Sequence, residues 1–324
     1  MTEPFLRNLR DIQTRMNLNQ LRISTGKAII NISDDPRKLA SSKNLSTYIN
    51  RNEYYLNTID KSLEELRAVD EQIDSISEKY LKIREIAVDA TATGNTQSLS
   101  SLAVYVKGLL TDLVRDGNFD LSGKYIFSGT ATTADSIESA ESSSSDQPFE
   151  LISGEATEDN PSGLRVVFNG NFNDRIVDTD ERSSEVINVK ANELFGADGT
   201  EMFNAIIELY NVLKYDENGV ERTDNSVFST SDTEKLNVAQ QKVSNYYDKI
   251  NTIGSKNGSK LNRLEMIREQ LVNENARLED FRSIEEDSDT ARASLELAKD
   301  QSALNYSLQI GAQLYPSTLF DFFD

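Results

Sequence analysis

The residues best placed to do chemistry are Asp34 and Asp35, set directly before Pro36 in the stretch LRISTGKAIINISDDPRKLA, residues 21–40. Adjacent carboxylates could hold a hard cation or work as acid and base, but neither use is self-sufficient. Such a cation takes roughly six to eight oxygen ligands. Glycoside hydrolysis needs two carboxyls facing each other across a cleft, not neighbours in the chain, and the same objection meets Glu285 and Glu286. The stretch DTDERSSEVINVKANE opens like a calcium loop at Asp178 and Asp180. It then places Arg182 at the fifth position and no glycine at the sixth, so the pattern fails. GSKNGSK, residues 254–260, lacks phosphate-loop spacing and reads as a helix-to-helix turn at Asn257-Gly258. With no cysteine and no histidine in the chain, thiol nucleophiles, imidazole bases, disulfides and ordinary zinc sites are excluded together. The sequence therefore points away from an enzyme and supplies no catalytic residue, cofactor site or metal ligand. Asp35 suits a different task, the N-cap of a helix whose first residue is Pro36, since the cap accepts N–H bonds and proline has none to donate.

A joint of this kind needs long helices on both sides, and the rest of the chain supplies them. From Pro36 to about Ala92 there is no internal glycine or proline. Apolar residues recur at Leu45, Ile49, Leu56, Ile59, Leu63, Leu66, Val69, Ile73, Ile76, Tyr80, Ile83 and Ala87, with one skipped turn at Asn52. Steps of three and four predict a coiled-coil-like helix roughly 85 Å long at 1.5 Å per residue. SLSSLAVYVKGLLTDLVRD predicts a shorter amphipathic helix, after which GNFDLSGKYIFSGT switches to β character. Beyond residue 230 the helical period resumes, with Leu264, Ile267, Leu271, Leu278 and Phe281 marking a buried stripe. A long helix with one apolar stripe cannot hide it alone, so the early and late helices are expected to pack antiparallel.

The 324 residues carry a net charge of −20 and only 37% hydrophobic residues. A chain so acidic repels nucleic-acid phosphates and anionic headgroups, so neither nucleic acid nor membrane is an expected partner. The first residues contain no apolar run of the kind found in signal peptides or membrane anchors. Between Thr130 and Thr230 there are 21 acidic residues against 6 basic ones, which concentrates most of the charge there. That region also holds ADSIESAESSSSDQP and short β-rich runs such as LRVVFNG and EVINVKA. The expected fold class is mainly α: a long antiparallel helical bundle or coiled-coil rod built from the N- and C-terminal segments, with an inserted small, mostly β domain. The expected divisions are 1–35, an N-terminal inner helix and joint pairing with 290–324; 36–130 and 231–289, the two halves of the helical rod; 131–230, the acidic insert; and 290–324, a C-terminal inner helix and tail.

The ends carry the candidate interface. Residues 5–24 predict an amphipathic helix with Phe5, Leu9, Ile12, Met16 and Ile23 on one stripe, flanked by Leu6, Leu18 and Leu21, and Gly26 is its expected stop. QSALNYSLQIGAQLYPSTLF, residues 301–320, has no charge in a protein that is 27% charged. Leu297, Leu304, Leu308, Ala312 and Tyr315 share one stripe there, and Pro316 is expected to end the helix near Leu314. A segment too polar to span a bilayer and too apolar for a free surface helix is expected to be buried against protein.

LRISTGKAIINISDDPRKLA, GKYIFSGT and FRSIEEDSDTARASLELAKDQSALNYSLQIGAQLYPSTLFDFF, in that order, resemble the termini of the bacterial flagellin family. The resemblance covers roughly residues 1–130 and 231–324, and GKYIFSGT and the LFDFF ending resemble the hook-filament junction members more than filament flagellin. It implies a non-enzymatic structural subunit of the flagellum, exported unfolded by the flagellar type III route with an export chaperone. The implied partners are the hook-side junction protein, flagellin and copies of itself. The implied location is the external flagellum, or the periplasm if the flagellum is internal. It also implies that Ser24 to Ala40 joins the inner helix to the rod, with Gly26, Ile29, Ile30, Ile32, Asp34, Asp35 and Pro36 at the joint, and that Thr290 to Phe323 forms the inner C-terminal helix. Filament flagellin is the alternative within the family; an exported enzyme or adhesin acting through the middle domain is the alternative outside it.

Overall fold

The structure, a computed structural model, describes residues 2–31, 34–91, 99–137, 146–223 and 227–314. Seven α-helices appear among them: α1 (Thr2–Thr25), α2 (Pro36–Thr91), α3 (Leu99–Gly117), α4 (Ala191–Leu194), α5 (Glu201–Lys214), α6 (Thr230–Glu286) and α7 (Thr290–Leu314). Three two-stranded antiparallel sheets, β1 (Asp120–Leu121) with β2 (Lys124–Tyr125), β3 (Phe149–Ser153) with β4 (Leu164–Phe168), and β5 (Ile176–Asp180) with β6 (Ser183–Val186), and a short 3-10 helix at Ala134–Ser136 complete the described elements. The chain divides into two compact units, Met1–Tyr54 with Gln270–Asp324, and Tyr55–Glu269. No helix among the described residues is long and apolar enough to cross a membrane.

The second unit holds a continuous hydrophobic core. The stripe of α2 is buried from Ile59 through Leu63, Leu66, Val69, Ile73, Ile76, Tyr80 and Ile83 to Ala87. α6 packs antiparallel along it: Arg268 Nε donates to Asp60 Oδ1 (2.6 Å), Arg67 Nη2 to Glu265 Oε1 (2.8 Å), and Ser77 faces Asn251. Residues of the acidic middle region join the same cluster. Phe149 on β3 packs its ring 4.9 Å from Phe168 and Phe195 and 5.5 Å from Phe203, and all of this is continuous with Leu110 and Leu113 of α3. The region thus includes a hairpin, β3–β4, that buries its apolar face on α3 and α5, because a lone hairpin cannot bury enough surface to be stable. It also contains α5, whose Met202, Phe203, Ile206, Leu209 and Leu213 recur at helical spacing and are buried.

Two expectations from the sequence are corrected. The stretch from Gly254 to Gly258 is no turn but an uninterrupted part of α6. Each helical glycine costs about 1 kcal/mol relative to alanine. Packing on α2 overrides that preference: a Cβ at Gly254 would already lie 3.4 Å from Ile73, and buried Asn257 donates from Nδ2 to Leu66 O and Asp70 Oδ1, both at 3.0 Å. Phe281, placed by its spacing on the buried stripe, is 57% exposed, whereas Leu264 and Leu271 are buried.

Candidate subunit interface

The first unit has a thin core. Among its described residues the buried hydrophobics are Ile12, Ile49, Leu271 and Ala293, joined by the polar Asn19, Ser42 and Asn52. α1 and α7 pack antiparallel, with the ring of Phe5 against Gly311 and Arg15 Nη2 2.8 Å from Asp300 Oδ1. A side chain at 311 would strike that ring, since a Cβ there would stand 2.7 Å from Phe5 Cζ.

Of the stripe read from the sequence, Ile12 is buried; Phe5, Leu9, Met16, Ile23, Leu297 and Leu304 are half-buried; and Leu308 is 52% exposed. Nothing is described of the Ala312 side chain, and Tyr315 and the tail after it lie outside the described residues. Sequence reading missed a second apolar face. Leu295, Tyr306 and Ile310 are 57%, 67% and 53% exposed, and at 100° per residue they lie opposite Leu297, Leu304 and Leu308. The signal that could have revealed it is the absence of charge from 301 to 314, since a helix buried on one side only carries charges on the other.

Between α1 and α2 the chain makes a pinned joint. Gly26, at φ +70°, ends α1 in the left-handed region that favours glycine, and its N–H donates to Arg22 O (2.9 Å). The next residues pair with the link between α6 and α7: Ala28 N–H donates to Glu286 O (2.7 Å) and Ser288 N–H to Gly26 O (2.8 Å). Lys27, which sequence reading passed over, puts its Nζ 2.8 Å from Glu286 Oε2 and 2.9 Å from Asp287 Oδ1. The Lys27 hydrogen bond lowers the pKa of Glu286; Ser283 and then Lys27 lower that of Asp287. This charged clip is fully formed above the ordinary carboxylate range and is lost as pH falls through the lowered values.

The carboxylate pair has two separate structural tasks. Asp34 Oδ2 accepts the N–H groups of Ile30 (3.0 Å) and Asn31 (2.8 Å), and these bonds, Asn31's first, lower its pKa. Asp35 Oδ1 accepts from the N–H groups of Arg37 and Lys38, both at 3.1 Å, capping α2 with Pro36 at its first position. Ile29 and Ile30 are half-buried, and Ile32 lies outside the described residues. Asp289 repeats the device at α7, its Oδ1 accepting from Arg292 N–H (2.9 Å). Asp35→Asn is therefore expected to be nearly silent in thermal melts and Asp35→Ala to cost about 1 kcal/mol, because an amide oxygen accepts the cap bonds as a carboxylate does. Equal damage from both, reproduced by a chelator, would instead mean a cation site.

Comparison with known proteins places this arrangement. Residues 1–132 match the model of the bacterial flagellin N-terminal helical region. No curated protein matches the chain. Among solved structures, a protein of Vibrio parahaemolyticus assigned as flagellar hook-associated aligns at 17% identity with a TM-score of 0.60, covering 78% of this chain and 99% of that one. The flagellar hook associated protein-3 of Legionella pneumophila aligns at 13% with a TM-score of 0.55, covering 75% and 99%. The flagellar junction protein FlgL of the same organism aligns at 14% with a TM-score of 0.54, covering 75% and 100%. At these identities the likeness is one of fold.

Proposed function

We propose that this chain, which belongs to the bacterial flagellin family through residues 1–132, is a structural subunit of the flagellum that acts at the hook-filament junction. The observation that carries the proposal is the terminal helix pair: α1 covers one apolar stripe of α7 and leaves Leu295, Tyr306 and Ile310 open, the last two in a stretch without charge from 301 to 314. Such a face is completed by neighbouring subunits, and the thin core of the first unit needs that cover. The fold shared with hook-associated and junction proteins supports the junction over the filament. On this reading Ile12, already buried, holds the first unit together, while Phe5, Leu9, Met16, Ile23, Leu297, Leu304, Leu308, Ala312 and Tyr315 complete their cover against neighbouring subunits. Gly26, Ile29, Ile30, Ile32, Asp34, Asp35 and Pro36 fix the angle at which α2 leaves them. The subunit works by packing, with no reaction. It reaches the exterior, or the periplasm of an internal flagellum, unfolded and with an export chaperone.

Pull-downs with the full chain test the reading. It is expected to bind the hook-side junction protein, and to bind flagellin only once it is seated there. Copolymerisation with flagellin along a filament, without affinity for the hook side, would make it a filament flagellin.

A further inference from the structure

The sequence holds three Asn-Gly pairs, at 169–170, 218–219 and 257–258. Asparagine before glycine is the arrangement most prone to lose its side-chain amide, because glycine has no Cβ to shield its backbone nitrogen from the neighbouring side chain. The fold treats the three pairs differently. Asn169 is 5% exposed, its Nδ2 donates to Gln147 O (3.2 Å), and a Cβ at Gly170 would stand 2.6 Å from Phe168 Cζ. Asn257 is fully buried inside α6, where the N–H of residue 258 belongs to the helix ladder and Asn257 Nδ2 is held by α2. The pair at 218–219 stands in the open.

Asn218 and Gly219 are both exposed, in the loop that joins Tyr215 to its bridge partner Glu221. Asp216 builds this turn: its Oδ1 accepts the N–H groups of Asn218 (3.0 Å) and Val220 (2.8 Å), and its carbonyl accepts that of Gly219 (3.0 Å). These bonds hold the main chain and leave the Asn218 side chain without a hydrogen-bond partner among the described residues. There is room around Gly219 as well, since a Cβ built there would meet only Pro161, at 3.8 Å. One exposed turn bond, from Gly219 N–H to Asp216 O, must open before the nitrogen is free, and such bonds open at little cost.

We infer that Asn218 is a site of self-modification, converted without an enzyme to aspartate and isoaspartate. The Gly219 nitrogen gives its proton to hydroxide and attacks Asn218 Cγ; the Cγ–Nδ2 bond breaks, ammonia leaves with a proton from water, and a five-membered imide closes. Water then opens the imide. Attack at Cγ gives aspartate, and attack at the main-chain carbonyl gives isoaspartate, whose backbone runs through Cβ. Both products add a carboxylate beside Asp216 and Glu217, but isoaspartate also lengthens the loop by one atom. That disturbs the register on which Arg222 depends, since its N–H donates to Lys214 O (2.8 Å) just past the loop while its guanidinium pairs with buried Asp232.

Peptide mapping by mass spectrometry, on the full chain kept for weeks in mildly alkaline buffer with and without guanidinium chloride, tests the site. In the denaturant the three asparagines are expected to react at similar rates. In the folded protein Asn218 should stay within about threefold of that rate and Asn169 and Asn257 should slow by more than about a hundredfold, because each 1.4 kcal/mol needed to open their surroundings costs a factor of ten. Asn218→Gln, whose longer side chain cannot close the five-membered ring, should remove the early release of ammonia from the folded protein. Protection of Asn218 equal to that of the other two would overturn the inference, as would an early release unchanged in Asn218→Gln. Asn218→Asp carries the new charge on an ordinary backbone and should melt with fresh wild type, whereas the aged, isoaspartate-bearing fraction should melt a few degrees earlier. An aged fraction that melts with Asn218→Asp would overturn the effect on Arg222.

Discussion

Leu308→Asp is expected to abolish binding to the hook-side partner and self-assembly while leaving the isolated monomer's melting temperature within a few degrees of wild type. Leu308 lies on the stripe of α7 yet is 52% exposed in the single chain, so a carboxylate there stays in water until a neighbour covers it. Burying that charge without a partner costs several kcal/mol, and each 1.4 kcal/mol is tenfold in affinity, so binding should fall by more than a hundredfold. Leu304→Asp is the informative companion. Leu304 is half-buried in the chain itself, so its replacement should lower both assembly and the stability of the terminal pair. Pull-down and thermal melts on the two variants check the prediction. A Leu308→Asp protein that melts as early as Leu304→Asp would assign both leucines to the monomer's own packing.

The largest effect on stability is expected at the start of α6. The Arg222 and Asp232 side chains are 2% and 4% exposed and meet at 2.8 Å. Arg222 Nε also donates to Val212 O (3.2 Å), and its guanidinium lies 5.0 Å from the Phe228 ring centre. Asp232 closes a reciprocal cap as well: its Oδ2 accepts Ser229 N–H (2.9 Å) while its own N–H donates to Ser229 Oγ (3.1 Å). Asp232→Ala removes the counter-ion and the cap together and should cost about 3–5 kcal/mol, since the guanidinium is left buried and unpaired. Asp232→Asn keeps the cap acceptor, and adding Arg222→Met to it should recover much of the loss, because removing both charges relieves the unpaired one. Urea midpoints of the three variants decide this, and a double variant no more stable than Asp232→Asn would contradict it. Burial raises the Asp232 pKa, but the Arg222 and Ser229 hydrogen bonds outweigh it and the net shift is downward. The pair's contribution is therefore complete above the ordinary carboxylate range and is lost as pH falls through the lowered value. The gap in stability between wild type and Asp232→Asn should close over that acid limb.

What could be read without a structure was what repeats or stands next to its cause. The stripe from Ile49 to Ala87 reports α2 because only one helix face can be buried, and Asp35 before Pro36 reports its cap because donors and acceptor are local. The lack of cysteine and histidine and the uncharged stretch from 301 to 314 likewise needed only composition. Tertiary structure alone decided the points where a distant partner overrides local preference. Gly254 and Asn257 carry a turn's chemistry but continue α6, since α2 accepts the glycine closely and takes both Asn257 N–H bonds. Phe281 has the spacing of a core residue but is exposed, because periodicity names a face and not what covers it. Lys27 meets Glu286 and Asp287 across more than 250 residues, and buried Asn211 donates to Asn160 across 51. Neither is written in any run of sequence, because each depends on which segments the fold brings together, and long-range pairing is set by the packing of whole helices rather than by neighbours in the chain.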